Sequence, residues 1–142
     1  MGLLLALATA GCGPAQWLGV GVDDLGTVSV HWACADREVQ RIRVTVAGSE
    51  DPLWEVVSDG GATELTAFPV GAVPDGFTQV QALDAPLEAT TRLRATLETA
   101  DDQQYVNFTI ADLEPGIVIA AGHEVPVGEF DVFAQERCGE QS

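Results

Sequence analysis

The side chains that could do chemistry in this chain are few and scattered. Its only histidines are His31 and His123, and its three cysteines are Cys12, Cys34 and Cys138. A zinc site needs three or four ligands, which two histidines of unknown proximity do not supply. Residues three apart on a strand point to opposite faces, so Cys34 and His31 do not form a nucleophile–base pair. We therefore predict no catalytic residue, no metal site and no cofactor.

Pairs of acidic residues occur where the chain is predicted to turn. They are Asp23-Asp24, Glu50-Asp51 and Asp101-Asp102. Carboxylates clustered at one end of a domain could bind calcium, but the chain has no Asp-x-Asp-x-Asp-Gly loop. We interpret these pairs as solvated turns.

The arginines form the one pattern that suggests a binding surface. Four of the six occupy alternate positions of two predicted strands, on the face opposite to the apolar residues: Arg41, Arg43, Arg92 and Arg94. The third and sixth strands of an immunoglobulin-like order are neighbours, so on those strands the four arginines would form one patch, flanked by Tyr105. Arginine binds carboxylates and phosphates through paired hydrogen bonds. We predict a contact surface for an anionic headgroup, a wall polymer or an acidic protein partner.

The alternative for these arginines is ion pairing within the sheet. Cross-strand pairs of opposite charge are common on exposed sheet faces. The acidic residues positioned for such pairs are Glu38, Glu55 and Glu98.

The charge balance bears on the class of partner. The chain has 22 acidic residues and six arginines without a lysine, for a net charge of −16. Such a chain repels phosphate backbones, so we predict no nucleic-acid partner. The same charge also keeps a protein soluble.

The N-terminal residues are typical of an export signal. The apolar run from Leu3 to Ala10 is too short to span a bilayer and ends at Thr9-Ala10-Gly11-Cys12, which resembles a bacterial lipobox. That motif implies a signal peptide over 1–11, a tether over 12–16 lipidated at Cys12, and one domain over 17–142. Two acyl chains suffice for stable membrane anchoring. The alternative is an unprocessed strand or tail with a free cysteine.

The cysteine count agrees with an anchor. Three is an odd number, and lipidation of Cys12 would leave Cys34 and Cys138 as one pair in an oxidising compartment. Their disulfide would close a loop of about 100 residues, worth up to roughly 4–5 kcal/mol by chain entropy. Two buried free thiols are the alternative.

Alternation of apolar and polar residues dominates the rest of the chain. Short alternating runs recur about every ten residues between turn signals, which is typical of a sandwich. We predict an all-β, immunoglobulin-like antiparallel sandwich of about seven to nine strands, the last over Phe130 to Ala134. With Asp101-Asp102 as a two-residue loop, Leu97 would face Val106.

Two segments resemble small actinobacterial envelope lipoproteins. One runs from Leu18 to Gly26 and on to Trp32-Ala33-Cys34, and the other runs from Phe108 to Gly116 with a cysteine near the chain end. The resemblance implies an immunoglobulin-like sandwich exported to the envelope, and most of these proteins have no assigned function.

Together these patterns favour a non-catalytic module for binding or assembly at the cell surface. We expect the protein to be exported and lipid-anchored on the extracytoplasmic side of the cell membrane, with an envelope polymer or protein as its partner. Two alternatives remain: a small enzyme or enzyme-accessory domain, and a secreted inhibitor that binds one partner protein.

Overall fold

The computed structural model describes residues 18–32, 38–60, 67–100, 103–120, 122–130 and 132–133. The predicted signal and tether over 1–16 lie outside these ranges, as do Cys12, Cys34 and Cys138. The lipidation and the disulfide therefore stay predictions. No helix within the described ranges is long and apolar enough to cross a membrane.

The described residues form a β-sandwich, which confirms the predicted all-β class. Its ten strands exceed the predicted seven to nine: β1 (Leu18–Val22), β2 (Val28–Trp32), β3 (Val39–Val46), β4 (Pro52–Ser58), β5 (Ala67–Pro69), β6 (Phe77–Gln81), β7 (Leu93–Thr99), β8 (Gln103–Phe108), β9 (Ile117–Ala120) and β10 (His123–Pro126). The first sheet has the order β10-β9-β1-β2-β5 and the second the order β6-β4-β3-β7-β8. All neighbouring strands are antiparallel.

An aromatic cluster joins the two sheets. Trp32 of the first sheet and Trp54 of the second are both fully buried. The Phe68 ring from edge strand β5 contacts both indoles edge-on, with ring centroids 5.4 Å from Trp32 and 5.8 Å from Trp54. Such pairs add about 0.5–1.5 kcal/mol each beyond the area they bury. Alternating strands place the core between the sheets and leave the other face of the second sheet polar.

The β7–β8 hairpin corrects the predicted register. Leu97 lies opposite Gln104 rather than Val106, and Glu98 lies opposite Gln103. A shift of two residues keeps every side chain on its predicted face, so the hydrophobic pattern cannot distinguish the two registers. The structure has the register that pairs Leu97 with Gln104, and Gln104 lies in the buried interior.

The predicted last strand from Phe130 to Ala134 is wrong. Val127–Glu129 form a 3-10 helix, and the chain continues helically through Phe130, Val132 and Phe133, while Ala134 lies outside the described residues. Phe130 is buried against the outer face of the first sheet, whereas Val132 is 65% exposed. Apolar residues three apart share one face of a helical turn, and that spacing prevails over the short alternation.

A glycine makes room for this packing. A Cβ added at Gly19 in β1 would overlap Val118 Cγ1 and lie 3.0 Å from Phe130 Cε1 and 3.2 Å from the Ile119 carbonyl oxygen. The missing side chain at Gly19 therefore lets the C-terminal segment dock on the first sheet.

We expect Gly19→Ala to destabilise the domain by about 1–3 kcal/mol, since its methyl group overpacks a closed contact. The matched control is Gly128→Ala in the same docked segment, where an added Cβ meets nothing within 4 Å. The midpoints and slopes of urea unfolding measure both changes. Equal midpoints for the two variants would contradict this account of the packing.

Candidate functional site

The four arginines predicted to form a patch lie along two paired strands of the second sheet. On β3 and β7, Arg41 lies opposite Glu98, Arg43 opposite Thr96, and Arg94 opposite Thr45. Arg92 precedes β7, and its carbonyl oxygen accepts a 2.9 Å hydrogen bond from the Ala47 amide. The arginines thus follow a diagonal across the outer surface of the sheet. We call this surface, with Arg41, Arg43, Arg92, Arg94 and Tyr105, the arginine face.

Arg41 is held by two carboxylates from the neighbouring strands. Its Nε lies 3.0 Å from Glu55 Oε2 on β4, and its Nη1 lies 3.7 Å from Glu98 Oε2 on β7. The Glu55 side chain is only 11% exposed, so water stabilises its charge weakly and the guanidinium must do so. For Arg41 the alternative of ion pairing within the sheet therefore applies, with Glu55 and Glu98 as its partners.

Arg94 has a fixed orientation without an acidic partner among the described residues. Its Nε donates a 2.8 Å hydrogen bond to Asn107 Oδ1 on β8. Its Cζ lies 4.2 Å from the centroid of the Tyr105 ring, a cation–π geometry. These contacts turn the guanidinium toward the β8 edge and limit the rotamer entropy that a ligand would have to remove.

Arg43 and Arg92 lack ion pairs in the described part of the chain, where the only such pairs are those of Arg41. Glu55 lies directly across from Arg43 in the β3–β4 ladder, yet its carboxylate is within ion-pair distance of Arg41. Arg43 Nε is shielded from solvent and has no hydrogen-bond acceptor in the structure. Arg41 Nε is shielded in the same way, but the Glu55 carboxylate lies 3.0 Å from it.

Two outward threonines show how closely the arginines cover the sheet. Thr45 and Thr96 point away from the core but are each only 3% exposed. Each lies directly opposite an arginine, Arg94 and Arg43 respectively, whose aliphatic stem can cover it. The guanidinium groups therefore form the outer surface here, on a chain whose net charge is −16.

His31, His123 and Asp23 contact neighbouring rings or backbone amides of the fold. The His31 ring contacts Phe130 at 5.9 Å between centroids, and the His123 ring contacts Phe133 at 6.0 Å. Asp23 Oδ1 accepts 2.9 Å hydrogen bonds from two backbone amides of its own turn. Within the described ranges no group of three or more His, Cys, Asp or Glu side chains could hold a metal ion. Asp101 and Asp102 lie outside those ranges.

Sequence reasoning missed the division of roles among the arginines. Alternation places Arg41 and Arg43 on the same face but cannot say which of them Glu55 approaches. Asn107 as the partner of Arg94 depends on the hairpin register, which the pattern left open by two residues. The sequence indicates only that Asn107 lies on the same outward face of its strand as Tyr105.

Comparisons of the chain with protein-family models, with curated proteins and with solved structures found no match. Its function is therefore inferred from the arginine face itself.

We expect Arg41→Gln to destabilise the domain by about 1–3 kcal/mol, because it leaves the Glu55 carboxylate buried without a cation. Arg43→Gln is the matched control on the same strand and should stay within about 0.5 kcal/mol of the parent. Adding Glu55→Gln to Arg41→Gln should restore part of the loss, since no uncompensated charge then remains. Denaturant unfolding measures all three, and equal losses at Arg41 and Arg43 would contradict these roles.

Proposed function

We propose that this protein is an exported, lipid-anchored, non-catalytic binding module on the extracytoplasmic side of the cell membrane, and that its arginine face contacts an anionic partner. The observation that carries the contact is the guanidinium of Arg43, which has no ion pair within the described residues, beside the oriented guanidinium of Arg94. The resemblance to envelope lipoproteins and the lipobox at Cys12 support the location.

The spacing of these two arginines suits a partner with regularly placed acidic groups. Arg94 lies two residues from Thr96, which faces Arg43, so the two arginines are diagonal neighbours with Cβ atoms roughly 7–8 Å apart. Each guanidinium can hold a carboxylate or phosphate through two parallel hydrogen bonds. A partner with acidic groups at a similar interval can therefore engage both arginines at once.

The negative charge of the rest of the protein would direct an anionic partner to the arginine face. An anionic group meets repulsion from a chain of net charge −16 except where cations outnumber carboxylates. On the arginine face both nearby glutamates already contact Arg41. An anionic partner is thus attracted here and repelled elsewhere, and added salt weakens both effects.

The anchor would hold the domain near the bilayer. Strand β1 begins at Leu18, so only Gly13 to Trp17 separate it from Cys12. A segment of five residues reaches at most roughly 17 Å. An acidic body so close to an anionic leaflet is repelled from it, which favours turning the arginine face toward anionic groups.

The contact between His31 and Phe130 supports the proposed Cys34–Cys138 disulfide. It brings the end of β2 and the C-terminal segment together, with a ring-centroid distance of 5.9 Å. Cys34 follows His31 by three residues, and Cys138 follows Phe130 by eight. Both separations lie within the reach of a short chain segment.

The anchor and disulfide are tested by the intact mass of the protein from a membrane fraction of its own host. We expect a chain that starts at Cys12, carries diacylglycerol and has lost two hydrogens. Cys12→Ser should stay unlipidated and leave the membrane fraction while keeping the disulfide. Retention of Met1 together with three free thiols would contradict export.

The arginine face is tested by titrating fluorescent decaglutamate and polyphosphate of similar length into the folded domain. We expect the parent to bind at least one probe. Arg43→Gln with Arg94→Gln should weaken binding at least tenfold, because each lost charge-assisted contact is worth about 1.5–3 kcal/mol. Fluorescence anisotropy at low and high salt gives the affinities.

The matched control adds two negative charges on the side of the first sheet, Leu25→Glu between β1 and β2 and Val132→Glu in the segment after β10, whose parent side chains are 90% and 65% exposed. Both double variants lower the net charge by two, so a general charge effect would weaken them equally. The proposal requires the control to bind within about twofold of the parent. A parent that binds neither probe, or equal losses in the two variants, would overturn it.

A further inference from the structure

Strand β8 is an edge of the second sheet with none of the usual protection against strand addition. Exposed edges are normally blocked by shortness, proline, charge or a bulge. At the other three described edges, β5 is three residues long and ends in Pro69, β10 carries Glu124 and Pro126, and β6 is paired with a register shift. Strand β8 is six residues long, uncharged, free of proline and paired with β7 in unbroken register.

A cavity of about 550 Å³ lies along this edge, on the open side of the sandwich. Its apolar lining comes from both layers: Val106 and Phe108 of β8, and Leu113 and Ile119 from the other side. The inward side chains of a strand added beside β8 would enter this cavity, since alternate residues of a strand point to one face. Arg92 also lines it, with Asp112 as the acidic group there.

We propose that an extended segment of an acidic partner protein adds to the second sheet beside Tyr105–Phe108 of β8. Its alternate apolar side chains fill the cavity, and the carboxylates between them lie on the outer surface at Arg94. This inference rests on the proposed function, because it identifies the anionic partner of the arginine face as an extended acidic peptide.

The charges at this edge select the occupant. The described arginines without an ion pair are Arg43, Arg92 and Arg94, and Arg94 is turned toward β8 by Asn107 and Tyr105. An added strand would lie two strand positions from β7, roughly 9–10 Å away, so its outward carboxylates could reach Arg94, whose guanidinium is turned toward β8. A polysaccharide or polyphosphate could engage the arginines, but only a peptide can also use the backbone of β8 and the apolar cavity.

A second copy of the chain is a poorer occupant. Each copy carries a net charge of −16, which opposes association. Pairing of two β8 strands would also bring their Arg94 guanidinium groups toward each other, and like charges facing across strands are destabilising.

The test uses the folded domain with two blocked octapeptides, (Val-Glu)4 and (Val-Lys)4. We expect (Val-Glu)4 to bind at least tenfold more tightly than (Val-Lys)4, and saturation to slow hydrogen exchange of amides in Tyr105–Phe108. Ile119→Trp, which fills the cavity, should weaken binding at least tenfold. Val80→Trp on the exposed β6 edge is the matched control and should bind within about twofold of the parent.

Failure of this inference is distinguishable from failure of the proposed function. If Arg43→Gln with Arg94→Gln abolishes binding while Ile119→Trp and the β8 amides show no effect, the arginine face stands and strand addition is overturned. If (Val-Glu)4 and (Val-Lys)4 bind equally, the acidic occupant is overturned. If β8 amides are protected by raising the protein concentration without peptide, and sedimentation shows a dimer, the occupant is a second copy and the inference fails.

Discussion

The contact of Arg41 with two glutamates is the interaction on which the outer face of the second sheet depends. Glu55, Arg41 and Glu98 belong to β4, β3 and β7, so one guanidinium links three adjacent strands by charge. It compensates a carboxylate that is largely shielded from water, which the sheet otherwise could not tolerate there. It also engages Glu55 and Glu98, and Arg43 has no ion pair among the residues that the structure describes. The same contact therefore stabilises the fold and leaves a cation for a ligand.

The features that could bind a partner lie on the β8 side of the second sheet. Arg94 is turned toward β8 by Asn107 and Tyr105, and the unprotected edge and the apolar cavity lie on that side. An extended acidic segment added beside Tyr105–Phe108 could use the charge of Arg94, the backbone of the edge strand and the apolar cavity together. No one of them is unusual alone. The presence of all three features at one sheet edge of a strongly acidic protein favours a binding module.

Much of the fold could be predicted because alternation directly encodes which side of a strand is buried. The strands around Ile42, Leu97 and Val106 follow it, and so does the outward position of the arginines. The predictions that were wrong concern strand register and the turn at Phe130, which the alternation of apolar and polar residues does not determine. Alternation fits two registers of β7 and β8 that differ by two residues, and it does not show the space at Gly19 against which Phe130 packs. The choice of Arg41 over Arg43 as the partner of Glu55 depends on side-chain geometry across three strands.

The most direct test of the central claim is an NMR titration that follows the arginine Nε–Hε signals, each assigned by its arginine-to-glutamine variant. We expect a glutamate peptide to shift the signals of Arg43 and Arg94, because their guanidinium groups have no acidic partner in the described part of the chain. The Arg41 signal should stay in place, because Glu55 and Glu98 already contact that side chain. A shift of Arg41 with Arg43 and Arg94 unchanged would contradict the account.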